Sequence, residues 1–262
     1  VTLSADGQTS LQLTQGNGND GTLELTLSQT TDATFAGLLV TSNEFAELDI
    51  NAGDLTVTGL EVDAGASAND ADVTIVGTND ISGTSVQSND GDTVISANSL
   101  ALTGDINAAN VDIDTTNEVS FVDLTATGGA VDIDAGAKIT AGEITAVGIA
   151  GNDVNLTGEW MAITNDVAGD DITIDMTNDL RASSVDDINA ENDITISGGT
   201  ITVANDIDSE AGDITIQTAA SVSVDDMAGD VITISGATVV AVTNDTESTS
   251  GITITSSCDV DL

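Results

Sequence analysis

Seven aspartates each stand immediately before the first of two alternating apolar or Thr positions: Asp54, Asp72, Asp92, Asp153, Asp171, Asp193 and Asp213. Their spacing is near 20 residues, or near three times that across the one long gap. If these copies stack in phase, the carboxylates form a column at about 5 Å intervals. Two unit charges that far apart repel by about 1 kcal/mol in water, and by several in less polar surroundings. The chain cannot offset this itself, because it has 45 Asp+Glu against 2 Lys+Arg, a net charge of −43. Dissolved cations must, and Ca²⁺ suits clustered carboxylate and carbonyl oxygens best.

Candidate calcium ligands are Asn19 and Asp20 in the Gly-rich turn from Gly16 to Gly21, Asp90 and Asp92 around Gly91, Asp170 and Asp171, and the column members Asp193 and Asp213. The 16–21 turn looks like half of the Gly-rich nonapeptide of calcium-binding β-rolls. The competing reading of every one of these is a turn, since an Asp side chain bonds nearby backbone groups. The excess of Asp over Glu fits that reading.

Composition excludes much else. Nucleic acids and anionic membrane surfaces need Lys and Arg to meet their phosphates, and only Lys138 and Arg181 exist. The absence of His removes Ser-His-Asp and Cys-His catalysis and His-ligated metals. Cys258 is the single cysteine, so no intrachain disulfide forms. No apolar run approaches the ~18–20 residues of a membrane helix. The pair Asp170-Asp171 superficially resembles the paired acids of polygalacturonases, without the His and basic residues that accompany them there. The expectation is a protein that is not an enzyme.

The elements that carry the aspartates repeat. The phrase Asp–apolar–polar–apolar recurs, with its first apolar residue at Leu55, Val73, Val154, Ile172, Ile194 and Ile214; related phrases begin at Val111, Val131, Ile232 and Ile252, and a shifted copy at Thr93, so that successive intervals are 18 to 23 residues. Within a copy the apolar period is two, as in Ile194/Ile196 and Ile214/Ile216, which marks a strand with one buried face. A second strand follows (Leu100/Leu102, Ile201/Val203, Val222/Val224), then a third apolar touch (Ile106, Ile144, Ile188, Ile207, Met227). Gly, Asn, Asp and Ser fill the turns between. No helical period intervenes. The fold expected is all-β, a right-handed parallel β-helix (β-solenoid) with about 20 residues per coil. An outward Thr column (Thr56, Thr74, Thr173, Thr195, Thr215, Thr233, Thr253) is broken by Asp112, Asp132 and Asn155. It allows an ice- or mineral-binding surface, or only reflects the β-propensity of Thr.

The rungs Gly212-Asp-Ile-Thr-Ile216 and Thr202-Val-Ala-Asn-Asp-Ile207 resemble the haemagglutinin-type repeats of bacterial exoproteins related to filamentous haemagglutinin. The resemblance covers roughly residues 50–262 and implies a secreted right-handed β-helix used as an adhesin. The Asn-Pro motifs of that family's secretion domain are missing, since the chain has no Pro. The Gly/Asn/Asp/Thr-rich composition also looks like that of surface-layer proteins.

Residues 1–50 keep the period poorly and are expected to be irregular first rungs or a small antiparallel cap; residues 51–262 are the β-helix. Phe35 to Val40 is expected to plug the core, and Trp160 and Met161 to fill it. The chain opens on Val1 without a signal segment, which suggests processing or excision from a longer chain. The candidate assembly positions are Val1 and Leu3, as a donor strand, and Ile252, Ile254, Val260 and Leu262 on the last rung. An open solenoid edge there would pair with another copy. The expected function is an extracellular, cell-surface structural protein that self-assembles into a filament, sheath or layer, with Ca²⁺ as its one candidate cofactor. The alternative is an adhesin shaft that contacts cell-surface glycans.

Overall fold

The computed structural model describes residues 9–14, 22–28, 33–41, 45–57, 60–63, 71–89, 91–147, 151–181 and 187–261. The chain is an all-β, parallel β-solenoid. Strands pair in parallel with strands about 20 residues further on, as the sequence period requires. Two compact units are present, Val1–Gly128 and Gly129–Leu262. Among the described residues no helix is long and apolar enough to cross a membrane.

In the first unit a coil has three short strands, for example Thr93–Ala97, Ser99–Leu102 and Ile106–Ala108. Period two turns alternate side chains inward. Stacking in register then makes one core column per strand. Ile50, Ile75, Ile95 and Ile113 form the first. Leu55, Ile81, Leu100 and Val119 form the second, and Leu60, Val86, Ile106 and Leu124 the third. All of these are buried, and each contributes roughly 1.5–3 kcal/mol of transfer free energy.

The strands before Asn51 follow the same rule. Thr9–Thr14 pairs in parallel with Ala33–Thr41, and Thr22–Ser28 with Phe45–Ala52. Both pairings are parallel, like those of the later coils. Phe35 is buried, but it is no plug. Its strand lies between Thr9–Thr14 and the strands Leu55–Val57 and Leu60–Asp63, as an ordinary member of the stack.

In the second unit the first two strands of a coil often merge, as in Val154–Ile163 and Ile214–Val224. The columns persist: Val131, Val154, Ile172, Ile194, Ile214, Ile232 and Ile252 are in register. So are Ile139, Met161, Leu180, Ile201, Val222, Val240 and Val260. The third column runs Ile144, Val167, Ile188, Ile207, Met227 and Thr246. Met161 is buried as expected. Trp160 points the other way and is half-exposed, with Lys138 Nζ 4.2 Å from its ring centroid. Strand alternation allows only one of two neighbours to face the core.

The glycine before Asp213 has a steric cause. A Cβ on Gly212 would lie 2.5 Å from the backbone of Asn192, one coil earlier. Only a residue without Cβ lets the coils approach that closely.

Candidate functional site

The corner aspartates do stack. The backbone N–H of Asp193 donates to Asp171 Oδ1 (2.9 Å), that of Asp213 to Asp193 Oδ1 (2.8 Å), and that of Val231 to Asp213 Oδ1 (3.1 Å). In the first unit Asp92 N–H donates to Asp72 Oδ1 (3.0 Å), and Asp92 Oδ1 accepts from Asn110 Nδ2 (2.6 Å). Each carboxylate therefore accepts an N–H of the next coil, 18 to 22 residues on, rather than one within its own turn.

A second ladder runs through the other end of the coil in the second unit. Asp187 N–H donates to Asp166 Oδ1 and Asp206 N–H to Asp187 Oδ1, both at 3.2 Å. Asp206 pairs with Asp226 in register, and Asp245 N–H donates to Asp226 Oδ1 (2.7 Å). Here Asp206, Asp225 and Asp226 each offer a carboxylate oxygen within 4.8 Å of the others. None of these was singled out from sequence. Their signal is an Asp before the third apolar touch, as in Asn165-Asp166-Val167 and Asn205-Asp206-Ile207.

Of the candidate calcium ligands, Asn19, Asp20 and Asp90 lie outside the described residues. Asp171, Asp193 and Asp213 share one ladder; Asp92 belongs to the ladder of the first unit. Asp170 stands apart from its neighbour Asp171. It is only 8% exposed, and accepts hydrogen bonds from the Gly151 N–H and from Asn192 Nδ2. Of the assembly positions, Val1, Leu3 and Leu262 lie outside the described residues, while Ile252 and Val260 are exposed and Ile254 is half-exposed.

Burial, followed by the charges of Asp187, Asp226, Asp225 and Asp208, holds the Asp206 carboxyl above its ordinary value of 3.8. A carboxyl with a raised folded pKa binds its proton more tightly folded than unfolded. Stability at this site is therefore greatest at low pH and falls as pH rises through the folded value. Acidification from neutral pH toward the ordinary carboxyl value of 3.8 should raise the melting temperature. Asp206→Asn should raise it at pH 7 and flatten the pH dependence. Circular dichroism melts of both proteins check this, and an identical pH profile in the variant counts against it.

Asn side chains form a further ladder in the first unit, with Asn117 Nδ2 donating to Asn98 Oδ1 (2.7 Å) and Asn98 Nδ2 to Asp80 Oδ1 (2.9 Å). The outward Thr column is continuous from Thr173 through Thr195, Thr215 and Thr233 to Thr253. The column beside it is mixed: Asp175, Ser197, Gln217, Ser235 and Thr255.

Beside the third column of the second unit runs a groove of about 390 Å³, lined among others by Asn152, Asp170, Glu191, Asp208 and Glu210. A second groove of about 670 Å³ shares Asp208 and Glu210 and continues to Asp230 and Glu247. No family model matches the chain, and no curated protein or solved structure matches it.

Proposed function

We propose that this chain is a structural, non-catalytic subunit at a cell surface. It assembles with copies of itself, and cations neutralise its acidic ladders. The observation that carries this reading is the self-complementary coil: strand pairs with strand in register, aliphatic side chains inward and an aspartate ladder at the corner. A coil of a second copy meets the same pairing geometry, and the contact proposed is at Ile252 and Val260, which are 42% and 46% exposed. A head-to-tail contact of this kind does not close on itself and propagates as a filament.

The ladders supply the cation dependence. Carboxylates one strand apart repel, and the density is greatest at Asp206, Asp225 and Asp226. A net charge of −43 opposes bringing copies together until counter-ions bind. Calcium-rich or saline surroundings outside the cell meet that need.

Negative-stain electron microscopy with millimolar Ca²⁺, and then with chelator, tests the reading. Filaments or sheets with Ca²⁺ that disperse in chelator are expected. Isolated particles in both conditions would overturn it.

A further inference from the structure

We propose that copies of this chain also join side by side, the strands of the second core column in the second unit docking on the acidic ladder of a neighbouring copy. Both cations of the chain stand on these strands. Lys138 opens Lys138–Ala141, and Arg181 closes Ile172–Arg181, two strands further along the stack. Positions 138–141, 160–163, 179–181, 200–202, 221–223 and 239–241 stack in register and hold one Lys, one Arg and one Asp. This is a net positive strip on a chain whose total charge is −43. Trp160, the single Trp, stands on the strand between the two cations; it is half-exposed and lies under Lys138 Nζ. Interfaces are enriched in aromatic residues and Arg and poor in carboxylates.

The complementary charge lies beside the third column. Positions 143–146, 166–169, 187–190, 206–209 and 226–229 hold six carboxylates and neither Lys nor Arg. The ladder Asp166, Asp187, Asp206, Asp226 runs along them, and Asp206, Asp225 and Asp226 crowd together within 4.8 Å. The cations of the chain therefore stand on different strands from its densest carboxylates. In a neighbouring copy the two can meet.

The coil period makes a second copy the fitting partner. Neighbouring strands lie ~4.8 Å apart, so the strands of Lys138 and Arg181 are about 10 Å apart along the stack. Asp187 and Asp226 are likewise two coils apart. One docking thus brings two cations to two carboxylates at the same spacing, and complementary charge fixes the register of the contact. The two surfaces that meet are different, so the contact is heterologous and repeats sideways without closing. The inference shares with the proposed function only the identity of the partner. None of its residues lies on Thr246–Thr255 or Asp259–Asp261, the strands that hold Ile252 and Val260.

Sedimentation velocity tests this on the full chain carrying Ile252→Asp and Val260→Asp, so that the sideways contact is read without the end-to-end one. No divalent ion is added, since it would compete for the same carboxylates. Association with a Kd of about 0.1 mM is expected. Lys138→Glu and Asp206→Lys, each added alone, should abolish it. An equal mixture of these two variants should associate again, because one keeps the acidic ladder and the other keeps Lys138. Asp206→Asn should weaken association about fivefold and provides the test should Asp206→Lys not fold. No association at about 0.5 mM, association that none of the folded variants reduces, or a mixture that sediments as its separate components would overturn the proposal. Failure of the end-to-end contact shows instead as an absence of filaments from the unaltered chain, and leaves this measurement unchanged.

Discussion

With Ile252 and Val260 both changed to Asp, the protein remains as single particles in Ca²⁺, where the unaltered chain forms filaments. The side chains alone would not hold two copies together. Full burial of an aliphatic side chain contributes roughly 1.5–3 kcal/mol, and both are already partly buried on one side. Association costs about 4–15 kcal/mol in lost freedom. The strand-to-strand hydrogen bonds of a shared coil must supply the rest. The substitution acts mainly by what it adds, since a carboxylate sealed between two coils costs several kcal/mol without a partner. Folding of the single copy changes little, because these positions are 42% and 46% exposed. Sedimentation velocity and electron microscopy read the outcome. Filaments of unchanged length in the double variant would sink the end-to-end contact.

Gly212→Ala lowers the melting temperature, while Gly128→Ala leaves it nearly unchanged. The new methyl at Gly212 meets the Asn192 backbone at 2.5 Å and also the Asp193 carboxylate, so coils must separate. At Gly128 the nearest atom is Ala109 Cβ at 3.6 Å, an ordinary contact. Overpacking of this kind costs roughly 1–3 kcal/mol. For a chain of this size each kcal/mol shifts the midpoint by about 2–4 °C, so a fall of roughly 2–12 °C is expected. The displacement also pulls on the bond from Asp213 N–H to Asp193, which reinforces the effect. Thermal melts followed by circular dichroism decide it; equal midpoints for the two variants would refute the close-approach explanation.

Coil stacking was legible in the sequence because each coil meets the same physical demand as the one before. Ile172, Ile194 and Ile214 must all point inward at one position, and an Asp stands before each of them at one corner. The Asp171–Asp193–Asp213 ladder could be read for that reason. The ladder through Asp187, Asp206 and Asp226 was harder to see. It follows a second strand and turn of varying length, which blurs its spacing. The longest interval, Val131 to Val154, hid which of Trp160 and Met161 faces inward, since one inserted residue reverses strand parity. Asn152 and its groove depend on which side chains satisfy one another across coils. No periodicity reports that.

The pairing of Lys138 with Trp160 has an optical consequence. The chain holds one Trp and no Tyr, so its indole fluorescence arises from a single place. That ring is half-exposed and lies under an ammonium group of the preceding coil. Its emission therefore reports the separation of two adjacent strands, Lys138–Ala141 and Val154–Ile163, while backbone ellipticity averages over every coil. Comparing the two signals during a melt distinguishes local opening at that step from loss of the whole stack.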